Sequence, residues 1–409
     1  MAHIAPFKAL RPNPELAPAV ASRPYDVLNS EEARLEVKNN PDSFLHITKS
    51  EIDLPGDVHQ YSSLVYEKAK ENLGNMIQHG VLLKEEKPCY YIYKLVMGKR
   101  SQTGLVCVSS VDDYNNNLIK KHEFTRPEKE NDRINHMKCT GAQTGNVFLA
   151  YKNDQGLDEL IENWKHSHQP VYDFVADDKV AHTIWIVDDE NTINNITEIF
   201  ESRIPATYIA DGHHRAASAA KVREALGAKA TPEASWFLTT LFPSNQLEIM
   251  DYNRVVKDLN GYTPEEFLSA LQDDFNVTQS TEPVSPSTLH EFGFYLNHHW
   301  YILSAKSGTW TNDPIGVLDV TILSDNILDK LLDIKDQRTD KRIDFVGGIR
   351  GLKALEERVN SGEMAAAFSL YPVSIQQLFD IADSGNVMPP KSTWFEPKLR
   401  DGLLTHLIN

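Results

Sequence analysis

Between residues 206 and 227 the chain passes from a short β-type run, Ala206-Thr207-Tyr208-Ile209-Ala210, through Asp211-Gly212-His213-His214-Arg215, into the alanine-rich stretch AASAAKVREALG. Alanine, leucine, lysine and glutamate favour helix, and a glycine just past the last turn is a common C-terminal cap. The order is strand, tight turn, helix, which commits this part of the chain to an architecture where strands and helices interleave.

The same alternation recurs on both sides. Upstream, Leu64, Val65, Ala69, Leu73, Met76 and Ile77 recur at helical spacing, predicting a helix within 61–80 that stops at Gly80. Residues 89–98 and 104–111 are rich in Val, Ile and Tyr, and the polar Lys99-Arg100-Ser101-Gln102-Thr103 between them suits a β-hairpin. Strands are also expected at 147–151, 182–187 and 236–242, with a helix at 191–202. Past these, Thr263 and Pro264 read as the cap and first residue of a helix. The remainder predicts strands at 292–296, 300–304, 343–346 and 365–371, and helices at 321–332 and 352–359. The expected fold class is mixed α/β, with a boundary after residue 260: region 1–260 carries the turn at 211–215, and region 261–409 packs on that core.

Composition narrows the function. The chain has 409 residues, enough for two or three domains of roughly 100–200 each. Its 41 Lys and Arg against 58 Asp and Glu give a net charge of −17, which argues against a nucleic-acid backbone as main partner. No window reaches the roughly 18 apolar residues of a membrane helix. Prolines 6, 12, 14 and 18 interrupt the N-terminal stretch where an export signal needs an apolar run. The three cysteines, Cys89, Cys107 and Cys139, are odd in number, form no CxxC pair and read as reduced thiols. A cytoplasmic protein is expected; its oligomeric state is left open.

Three segments carry residues suited to chemistry. Where a strand yields to a helix at Asp211-Gly212-His213-His214-Arg215, backbone N–H groups and the helix dipole favour a phosphate, Gly212 permits close approach, and Arg215 offers a planar charged fork. The paired histidines lack HxxxH, HExxH or CxxC spacing, so no metal site is expected. His122-Glu123, with Lys121, Arg126, Lys129 and Arg133, sets a carboxylate base beside cations, although a charge run of this kind also suits a solvated loop or helix start. Near the end, the proline-stiffened 388–398 places Lys391, Ser392, Thr393 and Lys398 on one loop. GxxxxGK[ST] is absent, and Gly347-Gly348-Ile349-Arg350-Gly351 fails GxGxxG.

Together, Phe7-Lys8-Ala9-Leu10-Arg11-Pro12, Arg23-Pro24-Tyr25-Asp26-Val27, His122-Glu123-Phe124-Thr125, Asp211-Gly212-His213-His214-Arg215 and Pro390-Lys391-Ser392-Thr393 resemble domain-of-unknown-function family 1015, in the family's order and over essentially the whole chain. Arg23 stands where a proline is more usual, and Ala216 where an aromatic is common. The resemblance implies a ParB- and sulfiredoxin-like nucleotide-binding core, a superfamily that includes free-serine kinases. Carried over, it implies that Gly212, His213, His214 and Arg215 contact phosphate.

The expected function is an ATP- or ADP-dependent kinase that uses Mg2+ and phosphorylates a small molecule, L-serine first among acceptors, to O-phosphoserine. In it Glu123, Asp211 and His213 act in catalysis, while Lys391, Ser392, Thr393 and Lys398 complete the nucleotide site. Arg23, Tyr25, Asp26, His122 and Arg126 meet the acceptor. The alternatives are a nucleotide-binding regulatory module and a phosphohydrolase.

Overall fold

Strand Arg100–Ser110 is the spine of a nine-stranded mixed sheet, pairing with Tyr90–Met97 and Ile4–Ala5 along one edge and with Trp236–Pro243 along the other. From Trp236–Pro243 the sheet continues through Val147–Tyr151 and Thr207–Asp211 to the short Ile119–Lys120. From Tyr90–Met97 it continues through Ala181–Val187 to Tyr172–Val175. The central strands are buried along almost their whole length, and so read as apolar runs without alternation, as sheets covered on both faces do. Leu105, Cys107, Val147, Leu149, Ile209, Phe237 and Leu241 form one core with Ala216, Ala219 and Val222 of helix His213–Leu226.

This computed structural model describes residues 1–409, and the chain is mixed α/β throughout. It forms two units, Met1–Leu247 with Pro397–Asn409, and Glu248–Glu396. The expected boundary after 260 is therefore misplaced. Tyr252–Val256 pairs with Ile343–Gly347 and Ala366–Leu370 in the second unit's sheet. The last thirteen residues rejoin the first unit, where His406–Leu407 pairs with Ala142–Gln143, and Asp401 and Thr405 bridge to Ser22 and Leu10.

The second unit carries a six-stranded antiparallel sheet, ordered Phe275–Ser280, His299–Ala305, Glu291–Leu296, Ala366–Leu370, Tyr252–Val256, Ile343–Gly347. Thr263 caps helix Pro264–Leu271 in a capping box with Glu266. The loop with Lys391, Ser392 and Thr393 belongs to this unit. Lys391 takes φ +58°, with its ammonium 5.8 Å from the Tyr252 ring centre, and the Ser392 hydroxyl donates to the Pro389 carbonyl at 2.7 Å.

Most expected elements are present within a residue or two. Arg100 to Thr103 lies inside a strand, because the hairpin turns tightly at Gly98 (φ +59°) and Lys99. Of the two expectations for the charged 120–133, the helix start holds and the solvated loop does not: helix Pro127–Thr140 begins within it, and Glu130 and Asp132 are buried. The expected 321–332 helix is α-helical only over Asp319–Leu323 and widens to a π-helix at Ser324–Asp329. Helices Gln155–Ser167 and Ile375–Asp383 and strand Phe275–Ser280 escape the sequence reading. No helix of the chain is long and apolar enough to cross a membrane.

Gly104 lies where a side chain has no room, since a Cβ there would stand 2.7 Å from Thr240 Cγ2 and 2.8 Å from Phe242 Cε1. Gly104→Ala is expected to overpack the sheet and cost about 1–3 kcal/mol, read as an earlier midpoint in denaturant unfolding.

Candidate functional site

Strands Ile119–Lys120 and Thr207–Asp211 run parallel, with Thr207 opposite Ile119 and Tyr208 opposite Lys120. Both therefore end in the same direction, and the residues after them, His122-Glu123 and Gly212-His213, meet beyond the strands' carboxyl ends, where ligands of α/β sheets commonly sit. Strand Val147–Tyr151 runs antiparallel to Thr207–Asp211 and brings its start, with Gly145 and Asn146, to the same place.

The turn holds because Gly212 takes φ +99°, a left-handed conformation that side chains disfavour. Gly212, which has no side chain of its own, is the N-cap of the fourteen-residue helix His213–Leu226. Its start directs backbone N–H groups and the positive end of the helix dipole beyond the strand ends. The Arg126 backbone N–H donates to His214 Nε2 at 2.9 Å, tying the turn to the N-cap of helix Pro127–Thr140. Behind the turn these two helices are clasped at Glu130, which takes the Thr125 hydroxyl at 2.7 Å and the Lys221 ammonium on its carboxylate, and the Ser218 hydroxyl at 3.1 Å on its carbonyl.

Arg215 does not face solvent as a phosphate fork would. Its side chain folds back beneath the turn, where Nη1 donates to the Asn146 carbonyl and Nη2 lies 3.6 Å from Asp211 Oδ1 and 3.9 Å from Asp26 Oδ2. Gly145 and Gly212 leave space for it, since a Cβ would stand 2.9 Å from Arg215 Cδ at the first and 3.2 Å from Cζ at the second. Burial alone would weaken the charge, but Asp211, Asp26 and Asp401 hold the guanidinium above its ordinary range. Asp401, buried in the returning C-terminal segment, is pushed up to about 7 by burial, with Arg215 pulling the other way. A second cation, Lys398, meets Asp211 Oδ2 at 3.1 Å.

His122 and His213 are both buried and stand edge to face, ring centres 4.5 Å apart. Burial pushes His122 down to about 4, and His213, also buried and next to His122, lies well below its usual range, so both are neutral imidazoles. His213 Nδ1 is 4.0 Å from Glu123 Oε2, and Glu123 is about a third exposed, at 35%.

The structure brings together Asp26, His122, Glu123, Asp211, Gly212, His213, His214, Arg215 and Lys398, and draws in Arg126 through its backbone. Tyr25 stacks on the Arg133 guanidinium at 4.0 Å, and burial and Asp26 raise its hydroxyl. Arg23 turns instead to Glu36 of helix Ser30–Glu36, its Nε donating at 3.0 Å. Lys391, Ser392 and Thr393 lie in the second unit. Asp401, Gly145, Asn146 and Arg133 were not singled out by sequence as site residues. Only Arg133 had been noticed, as one cation in a charge run.

Arg215→Ala leaves acidic groups uncompensated in a buried setting and is expected to destabilise the fold by about 3–5 kcal/mol; chemical denaturation reads the loss. Beside Arg215, a cavity of about 20 Å³, room for one water, is lined by Tyr25, Arg133, His136, Gln143 and Thr144. His136 Nε2 donates to the Ile47 carbonyl at 2.9 Å, and burial with Arg133 nearby pushes the ring down to about 4. The unfolded chain takes up this proton below its ordinary value near 6.5, while the fold refuses it until about 4. Stability attributable to His136 is therefore intact at pH 7 and falls between pH 6.5 and 4 by up to about 3 kcal/mol. Unfolding curves across that window should be correspondingly steeper in pH for the native chain than for His136→Gln.

No curated protein matches the chain. Solved structures give loose likenesses. A free serine kinase variant in complex with AMP is 13% identical, covers 74% of this chain and 92% of its own, and has a TM-score of 0.39. A conserved hypothetical protein from Pyrococcus furiosus, 13% identical, covers 76% and 97% at 0.38. A C-terminally truncated SbnI from Staphylococcus aureus, 11% identical, covers 74% and 87% at 0.33. At such scores the ParB- and sulfiredoxin-like character expected of the core is not carried by likeness of fold. The sequence match is firmer: the model of a family described as a protein of unknown function, DUF1015, matches residues 4–321, a stretch that includes the 211–215 turn and stops short of 388–398, and the chain belongs to that family.

Proposed function

We propose that the chain is a nucleotide-dependent small-molecule kinase that transfers phosphate from ATP or ADP to free L-serine, giving O-phosphoserine. The observation that carries this reading is the helix start at Gly212, with the Glu123 carboxylate beside His213 and the Lys398 ammonium on Asp211. Phosphate oxygens accept from the first turn of helix His213–Leu226, where the N–H groups and dipole suit an anion. Lys398 adds positive charge beside it. Arg215 acts from beneath as a positioning residue, fixing Asp211 and the turn through the buried contacts described above.

Two carboxylates would orient the acceptor hydroxyl: Asp211, which also meets Arg215 and Lys398, and Glu123, which stands beside His213 and is taken as the base. His213, neutral and 4.0 Å away, orients Glu123. Mg2+ supplies a bridge between phosphates and neutralises their charge. Asp26 and Asp211, each about a third exposed, are oxygen donors of the kind it takes. The reading uses residues of the first unit alone.

Incubating purified protein with ATP or ADP, Mg2+ and L-serine, and following O-phosphoserine by mass spectrometry, tests the reaction. Serine-dependent product is expected. Glu123→Gln should lower its rate about 10²–10⁴-fold while ADP still raises the thermal midpoint. Nucleotide loss without serine dependence would establish a hydrolase instead, and nucleotide binding without turnover a regulatory module.

A further inference from the structure

His122 is 2% exposed, yet neither of its ring nitrogens completes a hydrogen bond. A buried imidazole left so costs free energy, because both its N–H and its lone pair have given up water. The same ring faces His213, and one ligand-type atom from each of His122, Glu123 and His213 lies within 4.8 Å of the others. We infer that His122, Glu123 and His213 form a binding site for a divalent transition-metal ion of the zinc class.

Two features point to that ion. Two imidazoles and one carboxylate are a donor set that zinc-class ions take, whereas Mg2+ prefers oxygen. The spacing is near what binding needs, since ligand atoms about 2.0–2.1 Å from a tetrahedral ion stand about 3.4 Å apart, and His213 Nδ1 and Glu123 Oε2 are 4.0 Å apart.

The sequence hides this site because its ligands come from two places. His122 and Glu123 are adjacent on one loop and His213 opens a helix, so no short spacing motif exists. Three protein ligands leave a fourth position open, and the partly exposed Glu123 gives solvent access to it. A carboxylate bound through one oxygen keeps its second for an acceptor hydroxyl. That use of the open position rests on the kinase reading, but the ion site does not.

The full chain, stripped of metal with a chelator, should be titrated with Co2+ and followed by its visible absorption bands. One Co2+ per chain is expected, displaced by Zn2+ and not by excess Mg2+. His122→Ala and Glu123→Gln should each weaken binding at least about tenfold, with far-UV circular dichroism confirming the fold, while His214→Ala keeps both affinity and spectrum. Absence of Co2+ bands in the native chain, unchanged Co2+ affinity in folded His122→Ala, or undiminished binding in Glu123→Gln would overturn the site. The thermal shift given by ADP in the metal-free chain separates the two readings. ADP binding without Co2+ binding removes the ion site alone, and Co2+ binding without ADP binding removes the phosphate site alone.

Discussion

The buried guanidinium of Arg215 organises the site. A charge taken out of water is tolerated only when partners replace its hydration, and here they come from four stretches of chain: the carbonyl of Asn146, and the carboxylates of Asp211, Asp26 and Asp401. Each stretch is fixed by that requirement as well as by its own sheet or loop. The two glycines against the side chain are a consequence of the same packing, because a methyl group at either would displace the charge from its partners. Arg215 thus fixes the loops around the turn in place.

The first unit separates inner from outer charge. Arg215 and Asp401 are buried and set geometry, with Arg133 nearly enclosed, while Glu123, Asp26 and Asp211 each keep about a third of their side chains in water. Two neutral histidines stand between the layers. Catalytic sites often combine a rigid inner shell with a few accessible acids and bases, and the parallel ends of Ile119–Lys120 and Thr207–Asp211 supply the scaffold for that division.

Local pattern made much of the fold legible. The Val147–Tyr151 strand, the Thr207–Asp211 strand with its turn and helix, and the Thr263 cap are visible because propensity, apolar runs and capping residues agree over short windows. What escaped depends on distant partners. Arg215 reads as an outward fork until Asn146 and Asp401 are seen around it, and Glu130 reads as surface charge until Lys221 and Ser218 meet it. Arg23 looks like a site residue from its neighbours Tyr25 and Asp26, yet its side chain turns to Glu36. The boundary near 260 failed for the same reason: nothing near residue 250 or 397 announces that the chain will return.

That return makes the second unit an insertion. Ile249–Met250 pairs antiparallel with Trp394–Phe395, so the inserted segment begins and ends side by side, the arrangement by which a host domain accommodates a guest without parting its own strands. During synthesis the host therefore waits: Lys398 and Asp401 emerge only after the whole insertion has been made, and until then Arg215 and Asp211 lack two of the charges that surround them in the finished chain. The charges that surround Arg215 and Asp211 are thus completed last, so a nascent chain carries the turn well before it carries the finished arrangement around it.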